Sequence, residues 1–256
     1  MKINELYEQI KSWCTDAEIK DTVDCYKIGT GDSEIKKVGI TMFPTVDVIK
    51  YCARNGINFL ITHESIYYSH RDDSIPNEIA EKKKELAEKS GLTVARFHDF
   101  PHNAVPDMIC AGELKYLGLK GKWTKGKYFA VNNFLLDEPI TAAELARIIE
   151  EKLNLRHVRF AGCTDKPGRK IACCFGTPGH IEEELFENDF VLTGEICEWS
   201  VGELARDCAQ SGLNKAIIVL SHIGSERAGM MYLNDLINER IPDICCEYIE
   251  CGEVYN

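Results

Sequence analysis

The chain offers no basic face. Its 256 residues hold 30 Lys and Arg against 41 Asp and Glu, a formal net charge of −11, whereas phosphate backbones are gripped by clustered cations. The basic runs are short, as in KKK at 82–84, and lie among glutamates, so they read as the solvated side of a helix. The composition argues against nucleic acid as a partner. No apolar run reaches the roughly 20 residues of a membrane span. The opening stretch MKINELYEQIKSWC spaces Leu6, Ile10 and Trp13 as one face of an amphipathic helix and lacks the apolar core of a signal peptide. A cytoplasmic location, away from any membrane, is expected.

Familiar catalytic and cofactor signatures are missing too. There is no P-loop, no dinucleotide fingerprint, no nucleophile elbow and no low-complexity tract. Cysteine is plentiful, 12 in all, yet no two are spaced CxxC and two pairs are adjacent, Cys173-Cys174 and Cys245-Cys246. That spacing suits neither a zinc ribbon nor a thioredoxin-like motif, so most are expected to serve as small buried apolar residues.

What is present is a repeated unit. ARNGINFLITH (53–63), AEKSGLTVARFH (87–98) and AQSGLNKAIIVLSH (209–222) each run from a helical tail through a glycine into an apolar strand and end on histidine. Gly56, Gly91 and Gly212 sit where a helix must stop and reverse. Capping boxes are expected at Thr141–Glu144 and Ser200–Glu203. Helices are expected at 3–13, 45–55, 76–90, 141–152, 181–188, 200–211 and 226–238. Strands alternating with these helices give an α/β chain with mixed sheets flanked by helices. A composition shift in LKGKWTKGKYFAVNN, around 120–135, marks a join between two α/β lobes, 1–125 and 126–256. KPGRK at 166–170 reads as a turn feeding the strand IACCF.

Functional residues of α/β sheets collect beyond the carboxyl ends of the strands. Four strand ends carry such residues: His63-Glu64, His98 to His102, Thr193-Gly194-Glu195, and Ser221-His222 to Glu226. Pro101 favours a loop for the second. A lone histidine beside a strand is more often hydrogen-bonded structure than ligand, but four of the chain's seven histidines fall here. Imidazole and carboxylate without thiolate suit Zn, Mn, Fe, Co or Ni. His70, in YYSHRDD, reads as part of a solvent-facing loop, His157 and His180 lack partners in their own segments, and all three are expected to be structural. FGTPGH at 175–180 joins a strand to a helix as an ordinary tight turn or an anion cradle.

The ordered motifs ITHES, HDFPHNA, FVLTGEI and SHIGSERAGMMYL resemble the Nif-three-like family, labelled GTP cyclohydrolase 1 type 2, and the resemblance covers most of the chain. It implies two α/β lobes with a metal site between them at strand carboxyl ends, two divalent metal ions, a small-molecule substrate and a homo-oligomer, a hexamer. Carried over by position, the metal ligands are His63, Glu64, His102, His222 and Glu226, with His98 and Glu195 close by. The family usually has histidine where Glu64 stands and aspartate where His102 stands, so the exchange keeps three imidazoles and two carboxylates. The resemblance implies a metal-dependent hydrolase in which Glu195 shuttles protons. The alternatives are a non-catalytic metal-carrying or partner-binding protein, and an assembly protein without metal.

Overall fold

The structure is a computed structural model and describes residues 1–72 and 77–255. Along the chain the first elements are α1 (Ile3–Ser12), β1 (Tyr26–Ile28), β2 (Val38–Thr41), α2 (Val46–Arg54), β3 (Phe59–Thr62), α3 (Glu78–Ser90), β4 (Thr93–Arg96), α4 (Asp99–Asn103) and α5 (Met108–Leu117). There follow β5 (Gly121–Lys125), β6 (Val131–Thr141), α6 (Ala142–Leu153), β7 (Arg159–Gly162), β8 (Pro167–Cys174), α7 (Ile181–Glu187) and β9 (Phe190–Thr193). A π-helical turn at Glu198–Gly202 precedes α8 (Glu203–Gln210), β10 (Ala216–Val219), α9 (His222–Arg240) and β11 (Cys246–Tyr248). The chain divides into two compact units, Met1–Met108 with Met230–Asn256, and Ile109–Gly229. The stretch around 120–135 forms β5 and the opening of β6.

In the first unit the sheet order is β1-β4-β3-β2-β11. β4, β3, β2 and β11 run parallel and β1 is antiparallel to β4. Parallel neighbours need a crossover, and α2 and α3 supply it. The amphipathic α2 stops just ahead of Gly56 (φ +70°) and α3 at Gly91 (φ +68°), and the chain then re-enters the sheet as β3 and β4. Both strands are buried throughout. Alternate residues face opposite layers. Leu60 and Val94 pack with Val48, Ile49, Cys52 and Ala87 of α2 and α3, while Phe59 and Phe97 meet the edge of Tyr7 on α1.

In the second unit the order is β5-β6-β8-β9-β10-β7, with β8, β9 and β10 parallel and the remaining pairs antiparallel. Alternation divides its core in two. Ile171, Cys173, Leu192 and Ile218 join α5 and α6, and Ala172, Cys174, Val191 and Ile217 join α7 and α8. Each fully buried Ile or Leu contributes about 1.5–3 kcal/mol. Eight of the twelve cysteines are buried, as small apolar residues should be. No helix among the described residues is long and apolar enough to cross a membrane.

Several local expectations change. The capping box at Thr141 forms as its sequence dictates. Ser200 caps nothing, because the π-helical turn begins before it and Gly202 takes the cap position of α8 without a side-chain bond. Residues 99–103 are helical: Pro101 falls in the first turn, where no helical N–H is lost. α5 was not anticipated, being too apolar all round to show a period. β8 begins at Pro167, so the KPGRK segment is mostly strand. Of the helix expected at 76–90, Pro76 lies outside the described residues.

One buried contact fixes α5 against the start of α9. Glu113 accepts the Ala228 backbone N–H at 2.8 Å and is wholly buried. Burial pushes its carboxyl up to about 8, against the Ala228 N–H and the Arg227 charge. The folded state therefore holds a proton that the unfolded chain releases above about 4.5. Stability from this group is fully present below that value and lost as pH rises through about 8, with a slope of up to about 1.4 kcal/mol per pH unit. Urea unfolding at pH 5, 7 and 9 should show this decline, and Glu113→Gln should flatten it. Parallel pH profiles for the two proteins would rule out Glu113 as its source.

Candidate metal centre

The first unit gathers its donors because β3 and β4 are parallel neighbours in register, Thr62 beside Arg96. The residues that leave these strands, His63-Glu64 and Phe97-His98, emerge side by side. α4 then brings back His102 within one turn. Ligand atoms of His63, His98 and His102 all lie within 4.8 Å of one another. The His63 and His98 rings stack at 4.7 Å, and His102 meets each edge-on at 5.3 and 5.2 Å. His63 and His102 are buried.

Each imidazole is oriented from behind. Nδ1 of His63 lies 3.1 Å from the Phe97 carbonyl, Nδ1 of His98 2.9 Å from Asp99, and Nδ1 of His102 3.0 Å from Asp107. A carbonyl or carboxylate can only accept, so the proton of each neutral ring sits on Nδ1 and the lone pair on Nε2. Burial pushes His98 down to about 4; the Asp99 hydrogen bond opposes this, and His63 and His102 reinforce it. Burial works to raise Asp99, but hydrogen bonds from His98, the Val23 backbone and Thr22 outweigh it and hold the carboxyl well below its usual range. Asp24, buried and far away in sequence, accepts the backbone N–H of His98 at 2.7 Å and of Phe100 at 2.8 Å, capping α4 from outside. Three imidazoles held through Nδ1, with ligand atoms this close together, fit a divalent transition-metal ion.

Glu64 belongs to the same cluster. Its Oε2 takes the Arg96 guanidinium at 3.0 Å and its Oε1 lies 4.0 Å from Nε2 of His98. His70, read as an exposed loop residue, is exposed, yet its ring stands edge-on to His98 at 5.4 Å.

The second unit repeats the arrangement with other side chains. β9 and β10 are parallel neighbours, Thr193 beside Val219, so Glu195 and His222 leave adjacent ends. α9 begins at His222, one turn earlier than the sequence suggested, because the Ser221 hydroxyl accepts the Gly224 N–H at 2.9 Å. The Ser225 hydroxyl donates to the His222 carbonyl and accepts the Gly176 N–H. The earlier start puts His222 and Glu226 on one helical face. Nδ1 of His222 is 2.7 Å from Glu195, and Nε2 is 3.3 Å from Glu226.

The FGTPGH segment has a role here that sequence missed. A Cβ at Gly176 would come within 2.7 Å of Glu226 Oε1, and one at Gly194 within 2.6 Å of the Gly176 carbonyl and 2.7 Å of Ser225 Oγ. Bare backbone at both positions is what admits Ser225 and Glu226. His180 instead stacks on Tyr128 at 3.6 Å, and His157 is exposed.

Fold and donors together define a mixed α/β protein with a candidate site for divalent metal. The chain belongs to the Duf34/NIF3 (NGG1p interacting factor 3) family, whose model matches residues 1–252. Among solved structures it is similar to protein ybgI, described as of unknown function, at 20% identity over 99% of both chains with a TM-score of 0.84. Reduced HcgD from Methanocaldococcus jannaschii matches at 18% identity over 97% of both chains with a TM-score of 0.78. A Bacillus cereus protein related to NIF3 matches at 13% identity, over 99% of this chain and 98% of that one, with a TM-score of 0.79. At these identities the likeness establishes the fold. No curated protein matches.

Nitrogen-15 NMR of the metal-free protein should find the neutral rings of His63, His98 and His102 carrying their proton on Nδ1. Asp107→Asn, which keeps shape and loses charge, should lower metal affinity about tenfold or more with little change in melting temperature. Nε2–H tautomers would contradict the geometry.

Proposed function

We propose that the chain binds divalent transition-metal ions and acts as a metal-dependent hydrolase of a small substrate. The ligands in this reading are the residues that the resemblance implies, His63, Glu64, His98, His102, His222 and Glu226. The observation that carries the reading is the set of three imidazoles, each with Nδ1 held by an acceptor. Bound ions of this kind lower the pKa of a coordinated water toward neutrality and polarise the bond it attacks.

The protein's own residues do the rest. His63, His98 and His102 give lone pairs without charge, and Glu64 and Glu226 give the anionic oxygens that balance two divalent cations. Glu195 is half exposed and hydrogen-bonded to His222, so it can pass a proton between the site and solvent. A nucleotide is the substrate class that the resemblance implies, and a homo-oligomer, a hexamer, is its implied assembly.

Elemental analysis of protein purified without affinity metal or chelator is the first test. About two transition-metal ions per chain are expected, as a two-metal site requires. Turnover of a nucleotide, phosphoester or amide should be lost with chelator and regained with metal. No metal after incubation with Zn, Mn, Fe, Co and Ni in turn would overturn the reading. Metal without turnover in any of the three classes would remove the hydrolase and leave a metal-carrying protein.

A further inference from the structure

Arg96 is the largest side chain that is fully buried. A guanidinium out of water must be paired on every side, or the desolvation penalty of several kcal/mol goes uncompensated. Its partners all come from the end of β3 and the loop that follows. Nε donates to the His63 carbonyl at 3.0 Å, Nη1 to the His70 carbonyl, and Nη2 to Glu64 Oε2 at 3.0 Å. Asp72, 4.0 Å from Nη1, is itself paired with buried Lys27 at 3.2 Å. Two buried cations thus face two carboxylates. With Lys27 committed to Asp72, Glu64 is the closest counter-charge of Arg96.

That pairing divides the two oxygens of Glu64. Oε2 is held by the rigid guanidinium fork. Oε1 points the other way and lies 4.0 Å from Nε2 of His98. Two ligands bonded to one ion at about 2.0–2.2 Å lie no more than about 4.4 Å apart, so Oε1 and Nε2 are spaced for one ion. A free glutamate would chelate with both oxygens or swing away on its rotatable stem.

We propose that Arg96 is a positioning residue that makes Glu64 a one-oxygen metal ligand beside His63 and His98. The inference rests on the metal-binding reading and adds a residue to it. Arg96 never meets the metal: it acts through Glu64, holding it fixed and monodentate.

The test is a double-mutant cycle read as metal affinity, by competition with a chromophoric chelator, and as the visible spectrum of the cobalt-loaded protein. Arg96→Met and Glu64→Gln should each weaken binding by about 10- to 100-fold. The double variant should be no weaker than Glu64→Gln alone, because coupled residues are not additive. The cobalt spectra of the two single variants should shift in the same sense. Losses that multiply in the double variant would show Arg96 to be scaffold and overturn the proposal. Should Arg96→Met fail to fold, Arg96→Lys, which keeps the charge and loses the fork, completes the same cycle with the same two outcomes. An unsubstituted chain that binds no metal would overturn the metal-binding reading itself. One that binds metal with an additive cycle overturns only the role of Arg96.

Discussion

The parallel pairing of short buried strands is the constraint on which the rest depends. Parallel neighbours end at the same edge, so residues far apart in sequence leave the sheet together. In the first unit this joins 63–64 with 97–98, and in the second 194–195 with 221–222. The strands are four residues long and wholly buried, which leaves their register little freedom, since a one-residue slip would turn each core face outward. Polar residues at such ends are held in place by the core beneath them.

On that edge, orientation is supplied by acceptors behind the rings. Asp99 and Asp107 are acidic neighbours that hold two histidine rings aligned, each through Nδ1. Asp24 does for the backbone of α4 what Asp99 does for a side chain, taking N–H groups that a five-residue helix leaves unpaired. Negative charge in this region is thus mostly structural. Glu64 and Arg96 repeat the principle with the signs paired, a buried cation fixing a carboxylate.

The histidines were legible in the sequence because three signals coincide at them: a stop glycine, an apolar strand and a polar end. Glu195 was legible by the same signals in part. Arg96 was not, for it occupies the last position of an apolar strand, where a charged residue reads as the start of a loop. Asp24 and Asp107 lie in segments without periodicity, and only the fold brings them to the site. Pro101 misled because its position within the turn decides whether it breaks a helix, and that position follows from where Asp24 caps. The last helix was expected to start at 226, while the residue that caps α9 is Ser221, held at φ +74°, a left-handed backbone that sequence reading does not assign to serine.

The first four strands of one sheet, β1-β4-β3-β2, match β7-β10-β9-β8 of the other in order and sense. Thr62-His63-Glu64 and Thr193-Gly194-Glu195 stand at corresponding strand ends. The two are not interchangeable, since a side chain at Gly194 would collide with the Gly176 carbonyl and Ser225. The second frame can never carry an imidazole where the first carries His63, and must draw its own from the helix that follows. Likeness of scaffold is therefore coupled to a steric lock on chemistry: the halves share a plan, and crowding at Gly194 keeps the second to its own complement of donors.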